Sequence, residues 1–459
     1  MSLMVSISGI RGIIGESLTP DVIVNYSAAF AQYCKRGKII IGQDGRVSGK
    51  LIENIVSSTL LAMGCDVIDL GIVPTPTVAL AVEKLGASGG IAITASHNPM
   101  QWNGLKFIGH SGLFLDSDEN KHFWSIADSG LFKYAVWNKT GKHVPDETFI
   151  QKHIELVLNQ PFIDIQAIRQ RKFKIVVDCV NASGGIIVPQ LLRNLGCEII
   201  EMNCDVSGIF SRTPEPIPEN LTELCNKVRE TKSDLGIAVD PDVDRLVLIN
   251  EKGESYGEEY TITTVVKFIL EKESLNHKPE TRKSKSPDVV INLSTTRAVG
   301  DIAKSYNANI HRTPVGEINV ARRMKEIGAI VGGEGSGGVI VPAVHYGRDA
   351  LVGIALILQQ LVEFGGTLSE FKMTLPQYSI TKSKIDIASK NPEEIFDKIK
   401  LTNGPSGSIN LDDGLKIDFS DSWVHLRKSN TEPIIRIIAE APTIDQAEEI
   451  VNRFKKLIG

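Results

Sequence analysis

The chain has 459 residues, 42% of them hydrophobic and 23% charged. At roughly 100 to 200 residues per domain it holds about three or four packed domains, which excludes a single small module and a disordered polymer. Fifty Lys and Arg against 55 Asp and Glu leave a formal charge of −5, which excludes a global positive field for nucleic acid or an anionic membrane but not a basic pocket for a small anion.

Taken in chain order, Thr19-Pro20 followed by apolar positions to Cys34 and then Gly37 predicts a capped helix with proline in its first turn and a glycine stop. Lys38 to Gly42 reads as a buried strand. The same pattern returns at Cys65 to Leu70, Gly90 to Thr94, Phe173 to Asp178, Glu198 to Met202, Gly236 to Asp240, Val289 to Leu293 and Ala329 to Gly333. Helix-like segments lie between, and the alternation predicts mostly parallel α/β sheets. Thr75-Pro76, Thr213-Pro214 and Thr313-Pro314 each precede an apolar strand that ends in a polar loop, and Ser96, Asp240 and Glu334 follow the threonines at 21, 27 and 21 residues. Three similar units in tandem account for this, each with its functional loop at the carboxyl end of a strand; a chance echo of short Thr-Pro and Gly-rich strings is the alternative.

Glu271 to Pro287 is rich in Lys, Glu, Ser and Pro and reads as a solvated insertion in the third unit. Ala350 to Val362 is the most apolar long stretch, but Gly353, Gln359 and Gln360 interrupt it and it is too short to span a bilayer. After about Phe371 the pattern changes to short strands at Ser379 to Ile387, Gly414 to Phe419, Trp423 to Leu426 and Ile434 to Ala439. A closing helix is capped at Thr443 with Gln446 as the reciprocal partner. This predicts a smaller α+β domain. The cysteines, Cys34, Cys65, Cys179, Cys197, Cys204 and Cys225, make no C-x-x-C pair and have no histidine at zinc spacing. With no secretory leader in sight they read as reduced thiols of a cytoplasmic protein.

Four loops carry chemistry. Thr94-Ala95-Ser96-His97-Asn98-Pro99, with Lys106 close behind, offers a hydroxyl among donors, so Ser96 suits a nucleophile or phosphoryl carrier; a polar turn is the plain alternative. It lacks the G-x-S-x-G elbow of a hydrolase. Asp240-Pro241-Asp242-Val243-Asp244-Arg245 puts three carboxylates at alternate positions where a strand enters a loop, so they can converge on one hard cation. An EF-hand fails because Arg245 stands where glycine is required, and Leu246 to Ile249 reads as strand; magnesium suits the set better. Gly332 to Gly338 surrounds Glu334 and Ser336 with glycines, allowing close backbone approach to a ligand or simply a flexible loop. Arg427-Lys428-Ser429-Asn430-Thr431-Glu432-Pro433, followed by Arg436, gathers guanidinium and hydroxyl donors suited to a phosphate, or forms an exposed basic turn.

Together these loops resemble the α-D-phosphohexomutase family, which interconverts 1-phospho and 6-phospho sugars, and the resemblance runs through essentially the whole chain. It implies three tandem α/β domains with mixed, mostly parallel sheets and a smaller C-terminal α+β domain. The expected divisions are residues 1–150 (phosphoserine), 151–255 (metal), 256–370 (sugar) and 371–459 (phosphate). It implies phosphorylation of Ser96, and magnesium held by Asp240, Asp242 and Asp244 with the Ser96 phosphoryl group. It also implies sugar contacts from Glu334 and Ser336, and a phosphate site of Arg427, Ser429, Asn430, Thr431 and Arg436. Ser8-Gly9-Ile10-Arg11-Gly12 looks like the family's first active-site segment, with Arg11, Lys106, His97 and Arg245 around the transferring group. A hexose 1,6-bisphosphate is the implied activator. A small sugar phosphate is the implied partner, with no nucleic acid or membrane and either a monomer or a homodimer.

Two departures stand out: Gly338 where many relatives have histidine, leaving His345 or Arg348 as candidates to replace it in proton transfer, and Ser8 where many have threonine followed by an acid. Both occur in a subgroup often assigned as phosphoglucosamine or phosphomannose mutases. The expected reaction is glucosamine 6-phosphate to glucosamine 1-phosphate, with glucose and mannose phosphates close behind. A non-catalytic sugar-phosphate sensor and a metal-dependent phosphatase using Asp240 as nucleophile are the competing classes; intact Ser96, Lys106 and three aspartates weigh against the first, and the Ser96 loop is unexplained by the second.

Overall fold

The computed structural model describes residues 3–276, 286–387, 391–403, 407–428 and 433–459. Four sheets organise them. The first contains β1 (Met4–Ser6), β2 (Gly9–Ile13), β3 (Ile39–Gln43), β4 (Val67–Ile72), β5 (Gly89–Ile93), β6 (Trp102–Gly109) and β7 (His143–Pro145), in the order β1-β2-β6-β5-β3-β4-β7. The second has β8 (Lys174–Asp178), β9 (Glu198–Met202), β10 (Leu235–Val239) and β11 (Leu246–Ile249) in the order β11-β10-β8-β9. The third has β12 (Asp288–Asn292), β13 (Asn309–Thr313), β14 (Val331–Glu334) and β15 (Gly338–Ile340) in the order β13-β12-β14-β15.

One plan repeats in all three. The middle of the first sheet, β4-β3-β5-β6, has the same order and sense as β9-β8-β10-β11 and β13-β12-β14-β15: three parallel strands and a fourth, antiparallel strand paired to the third. The tandem repeat read from the Thr-Pro strings is therefore real, and in each unit a helix intervenes between the Thr-Pro and the functional strand or begins at it, at Thr75–Lys84, Thr222–Thr231 and Glu317–Ile327. In each unit the connection from third to fourth strand carries a chemical loop: Ser96, then Asp240 to Arg245, then Gly335 to Gly337. The fourth sheet, β16 (Ser379–Asp386), β17 (Ser408–Asn410), β18 (Leu415–Asp418), β19 (Trp423–Lys428) and β20 (Ile434–Ala441), is antiparallel throughout. The helix Ile444–Ile458 closes it behind the Thr443 and Gln446 capping box.

Three local expectations need correction. The helix Pro20–Tyr33 begins as expected at Thr19, but Lys35 and Arg36 take the left-handed turn (φ 53° and 58°) in place of Gly37; the Arg36 guanidinium donating to Lys133 O at 2.6 Å helps hold that turn. Gly37 instead permits close packing, since a Cβ there would lie 1.9 Å from Ser88 Oγ. The expected insertion, Glu271 to Pro287, does not begin at Glu271: the helix Glu258–Asn276 continues through it, supported by the Lys267–Glu271 pair at 3.0 Å and by Lys272 reaching Glu363, while residues 277–285 lie outside the described residues. Finally, the helix Pro392–Asn403 escaped the sequence reading, although Ile395, Phe396 and Ile399 form its buried stripe.

The hydrophobic cores show how the loops are fixed relative to one another. The first and fourth domains have cores of their own, but one continuous cluster joins the second and third, running from Phe173 and Ile237 through Val265 to Leu356. The largely apolar helix Ala350–Phe364 lies inside this shared cluster. The Asp240 and Glu334 loops therefore sit on one packed body.

Candidate active site

The serine loop leaves β5 through Thr94 and Ala95 and bends at Ser96, whose φ of +48° is a conformation that non-glycine residues adopt only under constraint. The constraint is visible. The Ser96 amide donates to Thr94 Oγ1 at 2.8 Å, and that hydroxyl donates to Asp44 Oδ2 at 2.6 Å. Beneath the loop lies Arg46, 2% exposed, with all five guanidinium donors used. Nε donates to Asp44 Oδ2 (3.0 Å), Nη1 to the carbonyls of Pro99 and Trp102 (2.8 Å each), and Nη2 to those of Ser96 (2.5 Å) and Asn98 (2.8 Å). Its outer face stacks on Phe210 of the second domain, 4.8 Å from the ring centre.

So oriented, Ser96 Oγ donates across the domain boundary to Asp240 Oδ2 at 2.9 Å, while His97 Nδ1 lies 3.3 Å from it. Burial and the neighbouring guanidinium groups of Arg245 and Arg11 push the His97 imidazole down to about 2, so this ring is neutral. Arg11, on β2, donates to Asn98 Oδ1 at 3.1 Å and faces the same space.

Asp240, Asp242 and Asp244 converge at the β10–β11 connection, one ligand atom from each within 4.8 Å of the others. Val243 between them has φ +60°, an outlier for a β-branched residue. One oxygen of each carboxylate is pinned. Asp240 Oδ1 accepts the amides of Asp244 and Arg245 (3.2 Å each), Asp242 Oδ2 accepts Thr75 Oγ1 and Lys106 Nζ (2.6 Å each), and Asp244 Oδ2 accepts Arg348 Nη2 (2.6 Å) and Lys106 Nζ (3.2 Å). Asp242 Oδ1 and Asp244 Oδ1 are buried and have no hydrogen-bond partner among the described residues. Two orphaned hard oxygens beside Asp240 Oδ2 offer three donors of the kind a hard divalent cation such as magnesium takes.

The charges agree. Burial together with Asp244 and Asp242 pushes Asp240 well above the usual carboxylate range, whereas for Asp244 the cations Arg348, Lys106 and Arg245 overcome burial and hold it well below. Burial opposes the Lys106 ammonium, but Asp242 and Asp244 outweigh it and raise the group further.

Opposite stands the third-domain loop. Glu334 Oε1 accepts Asn292 Nδ2 (2.8 Å) and the Gly316 amide (2.9 Å), and its Oε2 accepts Arg348 Nη1 (2.8 Å). From the fourth domain come Arg427 on β19 and Arg436 on β20, which face each other directly across the antiparallel register. Arg427 Nε lies 2.8 Å from Asp413 Oδ2. Ser429, Asn430 and Thr431 lie outside the described residues. All these elements enclose one cleft of about 660 Å³, lined by Arg11, Ser96, His97 and Lys106 of the first domain, Arg245 of the second, Glu334, Ser336 and Arg348 of the third, and Arg427 and Arg436 of the fourth.

His345 is elsewhere. Its Nδ1 accepts the Gly347 amide at 2.9 Å, which puts the ring proton on Nε2, 3.3 Å from Asp349 Oδ2. His153 Nε2 meets the same oxygen at 2.9 Å and its Nδ1 meets Thr77 Oγ1 at 2.9 Å. These groups could hold a metal by residue type, but a protonated His345 Nε2 is no ligand. The network is a buried tie between elements of three domains, outside the cleft.

Four family domains match consecutively: phosphoglucomutase/phosphomannomutase alpha/beta/alpha domain I over residues 4–133, domain II over 151–253, domain III over 265–378, and the C-terminal domain over 385–457. The chain belongs to the α-D-phosphohexomutase family. It is an intramolecular phosphotransferase. A Thermococcus kodakarensis protein named "Phosphoglucomutase/phosphomannomutase" is 36% identical over 98% of this chain and 97% of its own length. A Methanopyrus kandleri protein named "Probable phosphoglucosamine mutase" is 34% identical over 98% and 96%. The crystal structure of a family protein from Burkholderia thailandensis has the same fold, with a TM-score of 0.85 at 24% identity over 99% of this chain and 98% of that one. Among the described residues, no helix is long and apolar enough to cross a membrane.

For this phosphohexomutase, sequence reading missed Asp44, Arg46, Thr75 as an aspartate partner, and Glu317. Asp44-Gly45-Arg46 directly follows a buried strand, at the sheet end where α/β proteins bind ligands, and that position was the available signal. Thr75 was visible only as part of the repeat.

Proposed function

We propose that this phosphohexomutase moves a phosphoryl group between the 1- and 6-positions of a hexose through phosphorylated Ser96 and a bisphosphorylated sugar, with glucosamine phosphate as preferred substrate. The observation that carries the reading is Ser96 Oγ, in a strained loop at the cleft, 2.9 Å from Asp240 Oδ2, in an aspartate cluster whose other two members, Asp242 and Asp244, each present an orphaned oxygen. Asp240, Asp242 and Asp244, with an oxygen of the phosphoserine, would hold magnesium, which supplies hard positive charge beside the transferring group.

In the transfer, a sugar hydroxyl oxygen bonds to phosphorus as the bond from phosphorus to Ser96 Oγ breaks, and the hydroxyl proton ends, in net balance, on Ser96 Oγ. Lys106, Arg11 and Arg245 offset the charge that spreads over the phosphoryl oxygens, and neutral His97 leaves that field undiluted. Glu334 and Ser336 hold sugar hydroxyls. Arg427 and Arg436 hold the phosphate at rest: like charges directly opposite on neighbouring strands repel, and a phosphate dianion between them removes that cost. The bisphosphorylated sugar turns over in the cleft and returns its other phosphate to Ser96. A hexose 1,6-bisphosphate primes the dephosphorylated enzyme.

Two observations support the amino sugar. One of the similar proteins, that of Methanopyrus kandleri, bears the name "Probable phosphoglucosamine mutase". Glu259 lines the cleft, and burial pushes its carboxyl well above the usual range although the Lys382 ammonium, paired with the neighbouring Glu258, pulls the other way; a substrate ammonium group suits an acid so placed. Coupled assays on glucosamine, glucose and mannose phosphates, with hexose bisphosphate and magnesium supplied, test the preference. Mass spectrometry after incubation with a hexose 1,6-bisphosphate should find phosphate on Ser96, and full mutase activity in Ser96→Ala would refute the mechanism.

A further inference from the structure

Arg348 stands where the second and third domains meet and is bonded to both. Its Nη2 donates to Asp244 Oδ2 at 2.6 Å, and its Nη1 donates to Glu334 Oε2 at 2.8 Å. Glu317 braces the other side, with Oε2 at 3.2 Å from Arg348 Nε and Oε1 accepting the Arg348 amide at 2.9 Å. The guanidinium thus grips the oxygen of Asp244 that does not face the orphaned donor set, and so fixes where the orphaned Oδ1 points. With its other branch it fixes the carboxylate at the head of the Gly-rich loop.

Position 338 makes room for this arrangement. A Cβ on Gly338 would lie 2.4 Å from Arg348 Cδ and 3.2 Å from its Cγ, so any side chain there displaces the stem of the arginine. Proton transfer is not what Arg348 offers: burial opposes its charge, but Asp244, Glu317 and Glu334 hold the proton on it more tightly than usual.

We infer that Arg348 is a positioning residue that couples the two halves of the cleft, holding Asp244 in its metal-ligating pose and Glu334 in its sugar-binding pose at once, so that occupancy of either site strengthens the other. The inference rests on the roles proposed above for Asp244 and Glu334. Because such coupling is reciprocal, it is measurable from either side. Lysine cannot replace the arginine, since a single ammonium lacks the fork that reaches two carboxylates in different directions.

The experiment uses the dephosphorylated full-length enzyme, which does not turn over without bisphosphate, and Mn²⁺ as probe, with Kd read by calorimetry and by electron paramagnetic resonance. Wild type should bind Mn²⁺ about fivefold or more tightly when saturated with glucosamine 6-phosphate. Arg348→Lys should bind Mn²⁺ about 10- to 100-fold more weakly, and the sugar phosphate should no longer change that affinity. Gly338→Ala, which leaves every charge in place and moves only the guanidinium, should show the same loss of coupling; circular dichroism establishes that each variant is folded. Wild-type Mn²⁺ affinity in both variants, sugar-dependent tightening that survives in them, or no tightening in wild type overturns the inference while leaving the metal site intact. Mn²⁺ binding that is absent from wild type, or indifferent to Asp242→Asn, overturns the metal-site reading itself.

Discussion

Replacing Arg46 by lysine isolates the clamp beneath the serine loop, because the charge stays and the fork goes. All five guanidinium donors are used, four of them on loop carbonyls and one on Asp44. An ammonium has three donors, so at least two buried acceptors lose their partners. At about 1 to 3 kcal/mol for each unsatisfied acceptor, local stability should fall by about 2 to 6 kcal/mol. A multidomain chain does not unfold in one step, so the loss is best read by hydrogen exchange of β5, β6 and the loop between them. There the amides should exchange at least about 30-fold faster. The loop also sets the Ser96 hydroxyl, and a displacement of about 1 Å costs about a hundredfold in rate, so kcat/KM should fall by at least that much while Mn²⁺ affinity changes little. Unchanged exchange and unchanged kcat/KM in a folded Arg46→Lys protein would refute the clamp.

Three further outcomes are expected. Asp242→Asn removes one anionic ligand and the main partner of Lys106, and turnover should drop by about a hundredfold or more with the circular dichroism spectrum retained; wild-type turnover at wild-type magnesium demand would exclude the aspartates as the metal site. Arg427→Ala should raise KM and lower kcat, with kcat/KM down by about a hundredfold for a lost charge-assisted pair worth about 3 kcal/mol, and Arg427→Lys should recover only part of it; unchanged kcat/KM would remove the fourth domain from the reaction. In that domain, burial and the nearby Arg312 push the Lys416 ammonium down to about 8 from its ordinary 10.5. Between about pH 8 and pH 10.5 the unfolded chain binds more protons at this group than the folded one, so its contribution to stability rises with pH. Lys416→Met should therefore be more stable than wild type at pH 7 and lose that advantage by about pH 10; a pH-independent difference would contradict this.

The sequence alone determined the architecture and singled out the loops as candidates for chemistry, since both are written in short-range patterns. Apolar runs of strand length, the Thr-Pro strings and the Gly-rich and Asp-rich turns are local, and the three repeats with their loops at strand ends followed from them. Where local pattern was weak it misled, as at Glu271, where charged residues suggested an insertion but their pairing with Lys267 and the Lys272–Glu363 contact carry the helix onward. The sequence also suggested two stand-ins for the missing histidine; only the fold shows that His345 is sealed in a tie with His153 and Asp349 whereas Arg348 faces the cleft. What the tertiary structure decided lies at long range: Arg46 grips a carbonyl 50 residues away, Arg348 a carboxylate 104 away, and Ser96 meets Asp240 across 144. Such contacts have no periodicity to betray them, because each depends on how separately folded layers pack. The shared core of the second and third domains brings the Asp240 and Glu334 loops within the span of one guanidinium, and no single segment encodes that distance.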